Sequence, residues 1–218
     1  MIEKNLNLKK LNIEDMDVET IKKAAKTGTT TVGLIYKEGV IIGTESQATA
    51  GYVVASKTAQ KLFEINNFTA ATISGGVADA QYVINQLQAL SRLREVEKGI
   101  IPEPKYIANI TRNILFSGRS YYLAMMIIGG YSKSEKKGKL YGIDLLGALF
   151  EEDSFISFGS GSTYALGLLE ADWKPDLSEE EAIALMKNAV RSSRERDIAS
   201  GFEIQLCKVN ENGFTKIQ

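Results

Sequence analysis

The sequence predicts an α+β fold in which two antiparallel β-sheets are stacked between two layers of helices, a four-layer αββα sandwich. Strand-like and helix-like segments occur in blocks, in the order strands, two helices, strands, two helices, strands, instead of alternating one by one. The chain has 218 residues, of which 44% are hydrophobic, enough for one substantial core. We therefore expect a single globular domain.

The first block of strands begins at Thr29. Runs rich in threonine, valine and isoleucine are separated by a turn-like insert after Tyr36, which is typical of a β-hairpin. A second pair of runs is separated by the turn-forming residues Asn66 and Asn67. These patterns predict strands at residues 29–36, 39–44, 61–65 and 69–74.

Two helices are predicted next. From Ala78 to Lys98, apolar residues recur every three or four positions, as in an amphipathic helix. Pro102 and Pro104 introduce a second helix, which we expect to end at Gly118.

The rest of the chain repeats the order of strands, two helices and strands. The spacing of Ser178 and Glu181 is that of a capping box, so we expect the last helix to begin at Ser178. The other helix is predicted near residues 163–171, and the strands at 121–128, 139–144, 155–158, 203–209 and 213–217, with a polar loop at 132–139.

Composition excludes several classes of function. The chain has no histidine, so it cannot form Ser-His-Asp or Cys-His catalytic sites or the usual zinc hydrolase sites. The 26 basic and 27 acidic residues leave no basic excess for binding nucleic acid or an anionic membrane. The single cysteine, Cys207, rules out an internal disulfide, and we interpret it as a buried small side chain. We expect a cytoplasmic protein without a cofactor, metal, membrane or nucleic-acid partner.

The junction between Gly28 and Thr29 suggests a nucleophile. Residues 1–28 mix acidic and basic side chains without a continuous apolar segment, so they do not resemble a secretory signal. Threonine also favours strands, and a simple strand start is the alternative interpretation. Cleavage after Gly28, however, would give Thr29 both a hydroxyl nucleophile and a free α-amine, which titrates near pH ~8 and can act as a base.

Six motifs link the chain to a known family. The motifs are GTTTVG, GTESQATAG, SKTAQKLF, ISGGVADAQ, FGSGS and RDIASG, and together they span Gly28 to Gly201. They occur in the order seen in proteasome β-subunits. The chain thus resembles the catalytic β-subunits of archaeal proteasome core particles, which are N-terminal-nucleophile threonine proteases.

The resemblance implies a catalytic site around Thr29 as nucleophile. Lys61 is expected to assist proton transfer from its hydroxyl and to pair with Glu45, but the sequence leaves open whether Lys61 is a base or a fixed positive charge. Two positions depart from the family: Glu45, where aspartate is more common, and Gln47, where arginine is usual. The remaining implied site residues are Gly75, which stabilises the oxyanion, and Ser160, Asp197 and Ser200, which orient the α-amine.

The resemblance also implies a substrate pocket for the side chain that precedes the scissile bond. The pocket residues carry no charge, so we expect a preference for large apolar side chains. They are Ala48, Ala59, Phe63, Ile73 and Val77.

The implied function is the hydrolysis of peptide bonds in unfolded proteins, after self-cleavage removes propeptide 1–28 from catalytic domain 29–218. The implied partners are other β-subunits and α-type subunits, in heptameric rings stacked α-β-β-α, and a regulatory ATPase acting through the α-ring. Two alternatives remain. The chain could be an unprocessed, non-catalytic scaffold β-subunit, or a different enzyme of the same architecture, such as another N-terminal-nucleophile hydrolase or the bacterial two-ring ATP-dependent peptidase.

Overall fold

The computed structural model describes residues 28–119 and 121–217. Apart from Gly28, the predicted propeptide lies outside the described residues. The described chain contains twelve strands and four helices. The strands are β1 (Thr31–Tyr36), β2 (Gly39–Glu45), β3 (Ala48–Ala50), β4 (Val53–Ser56), β5 (Leu62–Asn66), β6 (Thr69–Gly75), β7 (Ala124–Ser132), β8 (Lys137–Ile143), β9 (Leu149–Glu152), β10 (Phe155–Phe158), β11 (Ile204–Asn210) and β12 (Gly213–Ile217). The helices are α1 (Val77–Lys98), α2 (Pro104–Ser117), α3 (Ser162–Asp172) and α4 (Glu179–Arg196).

Ten of these strands form two antiparallel five-stranded sheets. Sheet I has the strand order β10-β1-β2-β11-β12, and sheet II has the order β5-β6-β7-β8-β9. Strands β3 and β4 form a separate short hairpin between β2 and β5. Most neighbours within the sheets are consecutive in the chain, as expected for hairpin connections.

An apolar core fills the space between the two sheets. Side chains from β2, β5, β6, β7, β8, β10 and β11 meet there and are almost fully buried. Cys207 is one of them, and its burial raises the pKa of its thiol. This agrees with its interpretation as a small core residue. The group consists of Val40, Ile42, Leu62, Ala70, Ile127, Leu140, Ile156, Cys207 and Val209.

The helices cover the outer faces of the two sheets. Helices α1 and α2 pack on sheet II through a cluster that includes Val83, Leu87 and Ile107. Helices α3 and α4 pack on sheet I through a cluster that includes Leu169 and Met186. The order of layers is therefore α3/α4, sheet I, sheet II, α1/α2, which confirms the predicted αββα sandwich. None of the described helices has the length and apolar character needed to cross a membrane.

The predicted helix boundaries are accurate to about one or two residues. Helix α4 begins with the predicted capping box, in which Glu181 N donates to Ser178 Oγ at 3.3 Å and Ser178 N donates to Glu181 Oε2 at 2.9 Å. Pro104 is the first residue of α2, and Gly118 follows its last residue. Gly76 is the residue immediately before α1.

The strand prediction is less complete. It lacks the β3–β4 hairpin and β9, which are short and mostly exposed and therefore show little alternation of apolar and polar residues. The polar loop predicted at 132–139 is shorter, because Lys137 and Lys139 already belong to β8. Lys139 tolerates its largely buried position in a strand because its ammonium group lies 2.9 Å from Glu135 and 2.8 Å from Glu151.

Candidate functional site

The predicted nucleophile lies at one end of the sandwich, where strands of both sheets begin or end. Thr29 comes just before β1, Glu45 is the last residue of β2, and Lys61 immediately precedes β5. The antiparallel pairing of Thr31 with Thr44 brings the start of β1 next to Glu45. All three site residues are buried, with relative exposures of 3%, 0% and 1% for Thr29, Glu45 and Lys61.

Lys61 connects the predicted nucleophile, Thr29, to the Glu45 carboxylate. Its Nζ donates a hydrogen bond of 3.0 Å to Thr29 Oγ1 and one of 2.6 Å to Glu45 Oε1. The second contact is a buried ion pair between a residue of sheet I and one at the edge of sheet II. The structure thus brings together the three residues that the sequence assigns to nucleophile, proton-transfer lysine and carboxylate.

Both oxygens of the Glu45 carboxylate accept hydrogen bonds from protein groups. Besides Lys61, it accepts hydrogen bonds from Thr30 N at 3.2 Å, Gln47 N at 2.7 Å and Gly201 N at 3.0 Å. Each carboxylate oxygen therefore has two donors, which offsets part of the cost of burying the charge. The extra methylene of glutamate, relative to the more common aspartate, is accommodated without loss of the contact with Lys61.

Two opposing effects act on the pKa of Lys61. Burial lowers it, because the charged ammonium loses its hydration, and Glu45 raises it through charge attraction and a hydrogen bond. Burial is the larger effect, so the pKa of Lys61 lies below that of an exposed lysine. Lys61 can therefore lose its proton more readily than a surface lysine.

A second polar group surrounds the nitrogen of Thr29. Thr29 N donates to Ser160 Oγ at 3.2 Å, and the Ser160 hydroxyl donates to Asp197 Oδ2 at 2.5 Å. Ser200 Oγ donates to the same carboxylate oxygen at 2.6 Å. Because the Ser200 hydroxyl proton is used there, the 2.8 Å contact between Thr30 and Ser200 is a hydrogen bond donated by Thr30. The structure brings Ser160, Asp197 and Ser200 together beside Thr29 N.

Gly28 is held so closely that only glycine fits. A Cβ added at Gly28 would lie 1.7 Å from Ala199 Cβ and 2.9 Å from Ser160 Oγ. The Thr29 hydroxyl donates a 2.6 Å hydrogen bond to Gly28 O, so it already lies beside the carbonyl of the Gly28–Thr29 peptide bond.

Gly75 ends β6, and its backbone has a φ of +93°, which favours glycine. An added Cβ would also lie 2.3 Å from Leu123 O. Ile73 N donates to Lys61 O, and Gly76 N donates to Leu123 O on the opposite side. Because N–H groups alternate along a strand, the Gly75 N–H is directed to the side of Lys61, near the positive N-terminus of α1. This placement is compatible with the predicted oxyanion role.

The five predicted pocket residues lie in chain segments next to Glu45, Lys61 and Gly75. Ala48 begins β3, Ala59 lies in the connection before Lys61, Phe63 lies in β5 and Val77 begins α1; all four are half-buried. Ile73 is only 2% exposed and packs into the core beneath α1 and α2.

Two residues contribute contacts that sequence reasoning does not assign. Thr30 donates to both Glu45 and Ser200, yet nothing in the run of three threonines distinguishes it. Gln47, notable in the sequence only as a departure from arginine, donates through Nε2 to Thr49 Oγ1 and to Ile198 O, both at 3.0 Å. The Gln47 side chain thereby connects the end of β2 to the loop that carries Asp197 and Ser200.

Comparisons with known proteins give a consistent result. Residues 25–209 match the family model described as Proteasome subunit. The chain is similar to "Proteasome subunit beta" of Methanocaldococcus jannaschii, with 43% identity over 85% of this chain and 83% of that protein. It is 42% identical to "Proteasome subunit beta" of Haloferax volcanii, over 88% of this chain and 77% of that protein. It is 38% identical to "Proteasome subunit beta 2" of Aeropyrum pernix, over 88% and 87%. The family resemblance inferred from the six motifs is confirmed.

We predict that Glu45→Gln destabilises the chain by about 3 to 5 kcal/mol near neutral pH, because it removes one partner of a buried ion pair. The pKa of Lys61, already lowered by burial, falls further without the carboxylate. Below the ordinary pKa of lysine, the unfolded chain then binds more protons than the folded chain, so the stability of the variant rises with pH. The stability deficit relative to wild type should therefore shrink as the pH is raised from 7 to about 9.5.

Urea unfolding of the unassembled chain at the two pH values measures this effect. Glu64→Gln, at an exposed position of β5, is the matched control and should change the free energy of unfolding by less than ~0.5 kcal/mol. A Glu45→Gln deficit that stays constant or grows with pH would contradict the assignment of Lys61 as a group with a lowered pKa.

Proposed function

Because the chain belongs to the proteasome subunit family, we propose that it is a catalytic β-subunit, a threonine-type endopeptidase with Thr29 Oγ1 as its nucleophile. The observation that carries the proposal is the buried 3.0 Å hydrogen bond from Lys61 Nζ to Thr29 Oγ1. The arrangement at Thr29 N supports it, since an α-amine formed there would find the Ser160 hydroxyl within hydrogen-bond distance and already held by Asp197.

In the proposed first step, the enzyme processes itself. Thr29 Oγ1 attacks the carbonyl carbon of Gly28, the Oγ1–C bond forms, and the C–N bond to Thr29 breaks. The nitrogen takes up the hydroxyl proton and becomes the α-amine. Water then hydrolyses the ester, which releases residues 1–28 and restores the hydroxyl. The contact between Thr29 Oγ1 and Gly28 O, at 2.6 Å, supports this geometry.

Peptide hydrolysis then uses the same atoms. The hydroxyl of Thr29 attacks the carbonyl of the substrate, and its proton passes to the α-amine, which Ser160 and Asp197 orient. Lys61 assists in one of two ways: as a base it accepts the hydroxyl proton first and passes it on to the α-amine, or as a cation it stabilises the developing alkoxide. The Gly75 N–H donates to the carbonyl oxygen as it gains negative charge. The C–N bond of the substrate then breaks, and the protonated α-amine gives its proton to the leaving amine, which departs. Water hydrolyses the acyl ester on Thr29 Oγ1, which releases the other product and restores the hydroxyl.

The proposal includes assembly. Membership in the family implies incorporation into the rings of a proteasome core, and we propose heptameric β-rings between α-type rings, fed with unfolded proteins through a regulatory ATPase in the cytoplasm. Large apolar side chains on the surface support a role in contacts between subunits: Tyr52 is 88% exposed, Val53 68% and Ile198 83%.

We predict that Thr29→Ala abolishes both self-cleavage and peptide hydrolysis, because it removes the nucleophile. Thr29→Ser should retain part of each activity, since it keeps the hydroxyl and allows the same α-amine to form. N-terminal sequencing and intact mass of assembled particles measure cleavage, and wild-type chains should begin at Thr29.

Thr215→Ala, at an exposed position of β12, is the matched control and should leave both activities unchanged. Assembled wild-type particles that contain only uncleaved chains would refute self-cleavage and favour the unprocessed scaffold subunit instead.

We also predict faster hydrolysis after Leu, Phe or Tyr than after Asp, Glu, Lys or Arg. An apolar side chain gains ~1.5 to 3 kcal/mol on full burial, whereas a charged one meets no fixed opposite charge among Ala48, Ala59, Phe63, Ile73 and Val77. Each ~1.4 kcal/mol of lost transition-state binding slows cleavage about tenfold. Fluorogenic peptides that differ only at this residue measure the preference. Equal or faster rates after charged residues would overturn the assignment of the pocket.

A further inference from the structure

Gln205 lies in β11 of sheet I, but its side chain contacts the segment that leads into β5 of sheet II. Its Oε1 accepts hydrogen bonds from Lys61 N at 3.0 Å and from Leu62 N at 3.2 Å. Its Nε2 donates to Ala59 O at 2.8 Å. One side-chain amide therefore makes three hydrogen bonds to the backbone of residues 59–62.

These contacts occur where the sheet offers no neighbouring strand. Strand β5 is at the edge of sheet II, and its pairing with β6 begins with Leu62 opposite Thr72. The N–H groups of Lys61 and Leu62 converge on the amide oxygen of Gln205. Glutamine suits this position because its amide presents an acceptor and a donor side by side on a rigid plane.

The same strand also borders the partner of Lys61. In the register of sheet I, Ile204 is paired with Glu45 and Gln205 with Thr44. Strand β11 therefore places Glu45 by backbone pairing and holds the Lys61 backbone through the adjacent residue. Strand β11 thus helps to position both Lys61 and Glu45, and with them the distance between the two side chains.

We propose that Gln205 is a positioning residue for Lys61, and that its amide fixes the backbone of residues 59–62 so that Lys61 Nζ lies between Thr29 Oγ1 and Glu45 Oε1. This inference rests on the proposed function, since it assigns Gln205 a part in the chemistry of Thr29. Core packing of β5 does not depend on the amide, because Leu62 is buried between the sheets and pairs with Thr72. Variants of Gln205 are therefore expected to fold and to assemble.

The test uses the full chain assembled with its ring-forming α-type partner. Gln205→Leu removes all three hydrogen bonds and should slow self-cleavage and lower kcat for peptides by a similar factor, at least about tenfold. Both reactions need Lys61. Only peptide hydrolysis also needs the substrate pocket, because Gly28, which precedes the self-cleavage bond, has no side chain to place there. KM should change by less than about threefold. The matched control is Gln88→Leu, which removes an exposed amide that donates to Glu64 O of the same strand, and it should leave both rates within twofold of wild type.

A Gln205→Leu particle with wild-type self-cleavage and wild-type kcat overturns the proposal. A change confined to KM also overturns it, because that result would place Gln205 in the substrate pocket alone. If Gln205→Leu does not assemble, Gln205→Asn decides, because it keeps the amide but withdraws it by one methylene; full activity of that variant overturns the proposal. A wild-type particle without peptidase activity refutes the proposed function itself and is recognised before any variant is compared.

Discussion

The buried ion pair between Lys61 and Glu45 is the interaction on which the candidate site depends. It joins the two sheets, since Glu45 ends a strand of sheet I and Lys61 precedes the edge strand of sheet II. Burying two charges is expensive unless every charged atom has partners. Here the carboxylate has four donors, and Lys61 Nζ also donates to the hydroxyl of Thr29. The pair costs stability that an apolar pair would not, and it holds the Lys61 side chain against the hydroxyl of Thr29.

The sandwich explains why the site forms at one end. Strands of both sheets begin or end there, as their registers require: β1, β5 and β11 begin at this end, and β2, β6 and β10 end there. The apolar core packs the two sheets against each other and thereby restricts how far the side chains at their ends can separate. The C-terminal end of α4 adds Asp197, and the start of α1 follows Gly75. The site is therefore a property of the whole domain.

Local sequence patterns predict much of the fold but only part of the site. The order of blocks predicts the four layers. The capping box at Ser178 and the prolines at the start of α2 predict where helices begin, because these signals act within a few residues. The motifs indicate the site residues, but their contacts join residues far apart in the chain, such as Thr29 with Ser160. The sequence predicts none of the contacts of the Gln47 and Gln205 amides, since a glutamine in a strand or turn has the same appearance whether or not it holds a distant backbone. The fit of Gly28 against Ala199 is likewise visible only in three dimensions.

The proposed role of Thr29 as nucleophile is tested most directly by mapping a covalent adduct. Assembled particles are treated with a peptide that carries an electrophile in place of the scissile carbonyl, and the modified residue is located by tandem mass spectrometry. If Thr29 is the nucleophile, each active chain carries one adduct, on the hydroxyl of Thr29 at a newly formed N-terminus, and peptidase activity is lost in proportion. Inactivation with the adduct on another residue, such as Ser160 or Cys207, and with Thr29 unmodified, would contradict the assignment of Thr29 as the nucleophile.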